Sequence, residues 1–211
     1  GPACEAGRLA GPDRTDFLHN HLAGVVAGRS HRNRPRRCAR DVTDRTDRDR
    51  VVRGLALDVA RWDQTGCLSP VVAFLVALGE GAQRDLARDI AQALDALATA
   101  MPRGELPMSA RALHAAELAS ARMRAASGRA LVFEGRDNVV VLETDARARP
   151  SPLHRFLRLV PLPSLAALDG AVASLGGPLS NVAIAGFEAD ERMQLASGLV
   201  RRGASRITGP G

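Results

Sequence analysis

The amino-acid sequence predicts an α/β fold in which helices flank a mostly parallel sheet. Residues 71–78 read VVAFLVAL, an unbroken apolar run. Such a run is typical of a strand that is covered on both faces, as in a parallel sheet. Residues 156–208 then alternate strand and helix patterns in the order β-α-β-α-β. That order indicates crossovers onto parallel strands, and the two observations together set the fold class.

The elements begin at residue 51. Val51, Val52, Leu55, Val59 and Trp62 recur at helical spacing and predict one buried helix face that ends near the sequence DQTGC. Residues 1–50 contain GRSHRNRPRRCARD and DRTDRDR and show little apolar periodicity. We therefore divide the chain into a poorly ordered or divergent arginine-rich extension, 1–50, and a domain, 51–211.

Two helices and a hairpin are predicted after the apolar run. Apolar residues every three or four positions between Leu86 and Met101 indicate an amphipathic helix that stops at Pro102. A second helix is predicted over residues 109–126, with Ser109 as its N-cap. Strands at 131–133 and 138–143 flank a Gly-Arg-Asp turn. The remaining predicted elements are a strand at 156–160, a helix at 164–175, a strand at 182–187, a helix at 188–202 and a strand at 205–208.

Composition and charge limit the class of protein. Apolar residues make up 45% and charged residues 25% of the 211 residues, which is typical of a folded domain. The net charge is +6, and all 29 basic side chains are arginine, mostly interleaved with acidic residues. Aromatic residues reach only 3%, so stacking platforms for nucleic acid are scarce. A solvated surface is therefore favoured, and nucleic-acid binding is disfavoured.

The number of cysteines and the length of the apolar runs indicate the cellular location of the protein. Cys4, Cys38 and Cys67 are an odd number without repeating spacing, which argues against a disulfide framework and a zinc site. The longest apolar run is too short to span a bilayer, and the first residues lack the order of a signal peptide. We predict a cytoplasmic protein without a membrane span or a metal site. We also expect the chain to be a fragment of a longer protein.

Cys67 is the candidate for chemistry, in the stretch DQTGCLSP at 63–70. A thiolate is the reactive form of cysteine, and free backbone N–H groups at a turn can hold a developing oxyanion. Gly66 permits close backbone approach. The alternative is a small buried hydrophobe at the start of a strand, and spacing alone leaves the two interpretations balanced. The spacing of the five histidines connects none of them to Cys67.

The residues around Cys67 resemble a known family. Residues 56–76, ALDVARWDQTGCLSPVVAFLV, are similar to the catalytic-cysteine segment of the luminescence-type long-chain acyl-CoA reductases, the LuxC family within the aldehyde dehydrogenase superfamily. In that family an LALDV…DQ…CLSP stretch precedes a hydrophobic strand. The similarity continues downstream at 102–112, 151–168 and 203–211 and covers roughly residues 51–211.

The resemblance implies a fold, a reaction and a set of site residues. It implies a truncated aldehyde-dehydrogenase-like catalytic domain in which Cys67 forms a thioacyl intermediate from fatty acyl-CoA, with Gln64, Gly66 and Ser69 supporting the cysteine turn. It also implies reduction by NADPH, whose site lies largely outside this chain, so no cofactor residue is assigned and the isolated chain is expected to be inactive. Acyl-transferase or synthetase partners and a homo-oligomer are further implications.

Two alternatives stay open. The first is another reductase of the same superfamily that acts on a free aldehyde or an acyl phosphate. The second is a non-catalytic module whose arginine-rich segment, GRSHRNRPRRCAR, binds an acidic partner or nucleic acid.

Overall fold

The computed structural model describes residues 22–28, 45–175 and 179–211. The strands are β1 (Leu22–Gly28), β2 (Val72–Val76), β3 (Ala130–Glu134), β4 (Val139–Glu143), β5 (Phe156–Leu162), β6 (Leu179–Ala185) and β7 (Arg206–Thr208). The helices are α1 (Arg45–Ala60), α2 (Glu80–Leu97), α3 (Met108–Ala126), α4 (Leu168–Ala173) and α5 (Ala189–Arg201), and a 3-10 turn (Leu165–Ala167) precedes α4.

The strands form one sheet in the order β3-β4-β5-β2-β1-β6-β7. β3 and β4 pair antiparallel, and the other neighbouring strands pair parallel. In register, Val25 of β1 lies between Ala73 of β2 and Ala183 of β6. The predicted fold class, a mostly parallel sheet flanked by helices, is confirmed.

Both faces of the sheet are covered, which explains the unbroken apolar run. Ala73 and Leu75 of β2 belong to the core that includes residues of α1 and α2. Val72 and Phe74 point to the opposite face and belong to the core that includes residues of α4 and α5. Because alternate side chains of β2 enter different cores, every residue of the strand is buried and apolar.

The structure differs from the predicted elements at the start of the chain. We predict no element before residue 51, whereas β1 lies inside the sheet and α1 begins at Arg45. β1 reads LAGVVAG, a glycine-containing segment next to arginine-rich sequence, so its apolar pattern is weak. The division of the chain at residue 50 into two regions stays a prediction, and Cys4, Cys38 and residues 29–44 lie outside the described residues.

Two single-residue predictions are wrong. Ser109 is not the N-cap of α3, because the helix begins at Met108 after Pro107. Trp62 does not join the buried face of α1 and is 65% exposed, because the helix ends at Ala60 and the indole lies in the following turn. In the described part of the chain, no helix is long and apolar enough to span a membrane.

Candidate active site

Cys67 lies in the turn that connects α1 to β2. The turn precedes the first residue of β2, so it lies at the edge of the sheet where the parallel strands begin. Cys67 is a free, exposed cysteine. This position does not agree with a buried core cysteine, and it leaves the thiol open to a substrate.

The start of the turn has an unusual backbone. Asp63 and Gln64 have φ angles of 49° and 62°, in the left-handed region that non-glycine residues seldom adopt. Backbone bonds close this segment onto α1, because Gln64 N–H donates to the Val59 carbonyl at 3.2 Å and Thr65 N–H to the Trp62 carbonyl at 2.8 Å. The chain thus reverses sharply before it reaches Cys67.

Gln64, Gly66 and Ser69, the predicted supporting residues, all lie in this turn. The Gln64 side chain is 1% exposed, and its Nε2 donates to the Pro70 carbonyl at 2.9 Å, across the base of the Cys67 loop. Ser69 is buried and donates its N–H to the Gly66 carbonyl at 3.0 Å. A Cβ on Gly66 would lie 3.2 Å from both Ser69 Oγ and Trp62 Cβ, so a side chain has little room there.

The backbone carbonyl of Cys67 is hydrogen bonded, whereas the N–H groups of Cys67 and Leu68 have no acceptor among the described residues. Asn181, at the start of β6, donates its Nδ2 to the Cys67 carbonyl at 3.2 Å. By contrast, no residue in the described ranges accepts a hydrogen bond from the N–H groups of Cys67 or Leu68. Free N–H groups beside a nucleophile are the donors that stabilise a tetrahedral oxyanion.

Asp63 connects the turn to two other segments. Its Oδ1 accepts from Arg155 Nε at 2.6 Å, and its Oδ2 accepts from the Gly104 N–H at 2.9 Å. Its carbonyl accepts from the His154 N–H at 2.9 Å. One residue of the cysteine turn therefore joins the loop after α2 and the segment before β5.

Two histidines lie in this region, and both favour the neutral form. Burial, followed by the charge of Arg103, lowers the pKa of His114 below 6.5. Burial also lowers the pKa of His154, which the nearby carboxylate of Asp63 opposes. Neither imidazole has a hydrogen bond to the Cys67 sulfur, so the structure does not identify a general base for the thiol among the described residues.

A cavity adjoins the cysteine turn. It has a volume of 250 Å³, and its walls include Trp62 and Leu68 from the turn, Asn181 and Val182 from β6, and Arg206 from β7. Trp62 and Leu68 are 65% and 52% exposed, an apolar surface of the kind that a ligand covers. A substrate that reaches Cys67 has both apolar and cationic groups beside it.

A second, open cavity lies at the opposite edge of the sheet. It has a volume of 510 Å³, and its walls include Leu78, Gln83, Thr144 and Pro163. None of the side chains that line it is charged, and Gly79, the N-cap of α2, is part of its wall. In the described ranges, no three His, Cys, Asp or Glu side chains come together as metal ligands.

A buried charge cluster lies deeper in the sheet. Arg158 of β5 is fully buried, and it donates to Glu143 of β4 at 2.9 Å and to Glu117 of α3 at 2.5 Å. Arg124 and Arg149 lie 3.3 Å and 3.2 Å from the same Glu143 carboxylate. Burial lowers the pKa of Arg158, and the two glutamates oppose that shift.

The sequence predicted the cysteine turn but not all of its partners. Within the turn, the Gln64 side chain bonds the Pro70 carbonyl and the Asp63 side chain accepts from the Gly104 N–H. Arg155 and Asn181 were not predicted, because they follow Asp63 and Cys67 by 92 and 114 residues and no local pattern connects them. Only the order of strands in the sheet brings them to the same edge.

Comparison with solved structures defines the class of fold. A mutant of proline utilization A (PutA) from Bradyrhizobium japonicum matches with a TM-score of 0.64 and 13% identity, over 90% of this chain and 19% of that chain. An NAD-dependent benzaldehyde dehydrogenase from Corynebacterium glutamicum matches with a TM-score of 0.58 and 12% identity, over 90% and 39%. The aldehyde dehydrogenase KauB from Pseudomonas aeruginosa matches with a TM-score of 0.57 and 10% identity, over 90% and 38%. The fold is therefore that of an aldehyde-dehydrogenase-like domain.

The family follows from the sequence comparison. The family model described as acyl-CoA reductase (LuxC) matches residues 37–211, and the chain belongs to that family. A search of curated proteins gave no match. The chain spans about a fifth to two fifths of the length of the matched structures, 19% of the first and 38% of the last.

Proposed function

We propose that this chain is the thiol-bearing part of an enzyme that reduces a fatty acyl-CoA to the aldehyde, with Cys67 as nucleophile. The observation that carries the proposal is an exposed thiol in a turn whose adjacent backbone N–H groups have no acceptor in the part of the chain that the structure describes. Membership of the acyl-CoA reductase family supports the substrate class. We therefore assign the chain to an oxidoreductase that acts in aldehyde chemistry.

The first step follows from the turn. The Cys67 thiolate attacks the thioester carbonyl carbon, a C–S bond forms, and the carbonyl π electrons move to the oxygen. The N–H groups of Cys67 and Leu68, which have no acceptor among the described residues, are the donors that we propose for that oxyanion. When the oxyanion collapses, the bond to the coenzyme A sulfur breaks. Coenzyme A leaves as a thiolate and takes a proton from solvent, and the acyl group stays on Cys67 as a thioester.

The cavity beside the turn supports an acyl-CoA more than a small polar substrate. Trp62, Leu68 and Val182 offer apolar surface for the start of an acyl chain. Arg61 and Arg206 line the same cavity together with Asp58, so its wall carries more positive than negative side chains, which favours an anionic substrate such as a coenzyme A thioester.

The second step, reduction to the aldehyde, needs a hydride donor, and we propose NADPH. We propose that the cofactor site lies largely outside this chain, because the chain covers only 39% and 38% of the two aldehyde dehydrogenases that it matches.

The test is transfer of a radiolabelled tetradecanoyl group from its coenzyme A thioester to the intact protein, followed by peptide mapping. We expect label on the peptide that contains Cys67 and release of one coenzyme A per label. Cys67→Ser is expected to abolish the label without a change in thermal unfolding, because the side chain is exposed. Label that persists in Cys67→Ser would disprove the proposal.

The same assay separates the other substrate class. Free tetradecanal with oxidised cofactor and tetradecanoyl phosphate are offered beside the thioester. We expect the thioester to acylate Cys67 fastest, because coenzyme A offers several phosphates to Arg61 and Arg206 in the cavity wall, whereas the aldehyde has none and the acyl phosphate has one. Faster reaction with the acyl phosphate would assign a different reductase of the same superfamily.

A further inference from the structure

Asp63 is the most constrained residue of the cysteine turn. Both carboxylate oxygens and the carbonyl oxygen accept hydrogen bonds, from Arg155, Gly104 and His154 respectively. The bond from Arg155 Nε is 2.6 Å long and joins two opposite charges, which makes it stronger than a neutral hydrogen bond. The start of the turn is thereby fixed in position and direction.

Arg155 extends the same connection to the end of α1. Its guanidinium is 1% exposed, and Nη2 donates to the Ala60 carbonyl at 3.3 Å and to the Met101 carbonyl at 2.8 Å. Ala60 is the last residue of α1, where helix carbonyls lack partners within the helix. One buried side chain therefore holds the end of the helix, the loop after α2 and the first residue of the turn.

The two segments that the Asp63–Arg155 pair joins both have strained backbone. Asp63 and Gln64 adopt left-handed φ angles of 49° and 62°, and Leu153, His154 and Arg155 adopt φ angles of 65°, 54° and 66°. Such conformations are strained and persist only where surrounding contacts enforce them. Since the Asp63–Arg155 pair joins the two strained segments, its loss would allow both to relax.

Gln64 connects the strained start of the turn to the far end of the Cys67 loop. Gln64 follows Asp63 directly, and its side chain holds the Pro70 carbonyl at the far end of the loop. Relaxation at Asp63 would move Gln64 and release that end. The Cys67 thiol and the two free N–H groups beside it lie between these fixed points.

We propose that Asp63 and Arg155 are positioning residues for Cys67. They hold the turn so that the thiol and the N–H groups of Cys67 and Leu68 face the same reacting carbonyl. This proposal rests on the proposed function of Cys67, and neither residue contacts the reacting atoms. Their effect is therefore on the rate of acyl transfer rather than on substrate binding.

The test compares Asp63→Asn and Arg155→Lys with a matched control, Arg158→Lys, in the intact protein. Arg158 is an equally buried arginine of the neighbouring strand, with hydrogen bonds to Glu143 and Glu117 and none to the cysteine turn. Two quantities are measured: the rate of Cys67 acylation at saturating tetradecanoyl-CoA, and the amide hydrogen exchange of Gln64, Thr65 and Ser69, whose N–H groups donate hydrogen bonds in the turn.

We expect both positioning variants to lower the maximal acylation rate about tenfold with the half-saturating concentration unchanged, and to raise amide exchange at Gln64, Thr65 and Ser69 about tenfold, since a charged hydrogen bond is lost. Arg158→Lys is expected to change neither quantity per folded molecule, although its thermal stability falls. Equal losses of rate in all three variants would contradict a positioning role and would show that Asp63 and Arg155 form only a structural ion pair.

The two proposals fail in different ways. If the unsubstituted protein is never acylated at Cys67, the proposed function is wrong. In that case the amide exchange of Gln64, Thr65 and Ser69 still tests the positioning proposal, because this measurement needs no substrate. Unchanged exchange in Asp63→Asn and Arg155→Lys would overturn it.

Discussion

Arg155 and Arg158 lie close together in the sequence, and both are buried, yet they do different work. Arg155 precedes β5 and binds Asp63, whose side chain is 20% exposed. Arg158 lies within β5 and binds Glu143, whose side chain is 0% exposed. The first pair connects the cysteine turn to the rest of the fold. The second lies inside the domain, where β4, β5 and α3 meet.

The difference shows that burial alone does not reveal what a charged side chain contributes. A pair that is closed off from water pays a large desolvation penalty for both ions, and loss of one partner leaves the other uncompensated. A pair with one hydrated partner loses less stability when it is broken, because water replaces the missing contact. We therefore expect Glu143 and Arg158 to affect folding, and Asp63 and Arg155 to affect the cysteine turn.

The largest effect on stability is expected at Glu143. Glu143→Ala should lower the free energy of unfolding by about 3 kcal/mol, because Arg158 loses its fully buried partner. Urea unfolding measures this change. Glu117→Ala is the control, since that carboxylate is 34% exposed and its loss is expected to cost about 1 kcal/mol. Equal costs for the two glutamates would show that burial of the partner does not set the strength of this cluster.

An intermediate effect is expected at Gly66. Gly66→Ala places a methyl group 3.2 Å from both Ser69 Oγ and Trp62 Cβ, so the turn must shift by a few tenths of an ångström. We expect a loss of about 1 kcal/mol in stability together with slower acylation of Cys67. Gly81→Ala, at the start of α2 with no atom near the added methyl, is the control that should leave acylation unchanged. An unchanged acylation rate in Gly66→Ala would show that the shape of the turn at Gly66 does not affect the reaction of Cys67.

The smallest effect is expected from pH. The pKa values of His114 and His154 are lowered below 6.5 in the folded protein, so the unfolded chain binds protons first as the pH falls. Stability is therefore full above 6.5 and decreases as the pH falls from there towards the folded pKa values. Thermal unfolding between about pH 7.5 and about pH 5.5 measures the loss, since histidine titrates in this range.

The control for the pH effect is the double variant His114→Gln with His154→Gln, whose stability should be flatter over the same interval. The carboxylates with lowered pKa values, Glu134 and Asp145, titrate below 4.5 and 3.8 and do not contribute in that range. A double variant as pH-sensitive as the parent would assign the dependence to other groups.

The sequence predicted the parts of the fold that depend on local pattern. The apolar run of β2, the hairpin of β3 and β4, and the amphipathic spacing of α2 each specify their element directly. β1 was missed, since seven residues with two glycines inside an arginine-rich region carry little periodicity. The cysteine turn was found because DQTGCLSP is itself local.

The buried arginines could not be predicted. Arg158 interrupts an apolar strand and, by composition alone, reads as an exposed side chain. Its burial depends on Glu143 and Glu117, which reach it from another strand and another helix. Likewise Arg155 meets Asp63 only because β5 and β2 are neighbours in the sheet. Pairings of this kind are a property of the topology rather than of any short stretch.

The distance along the chain between Asp63 and Arg155 also orders events during synthesis. Arg155 follows Asp63 by 92 residues, so it leaves the ribosome about 5 to 20 s later at ordinary elongation rates. Until then the carboxylate of Asp63 has no guanidinium partner, and β5 has not yet been added beside β2. Contacts within residues 59–70 can form as soon as the turn is made, whereas the arrangement that includes Arg155 is completed only after most of the described domain has been synthesised.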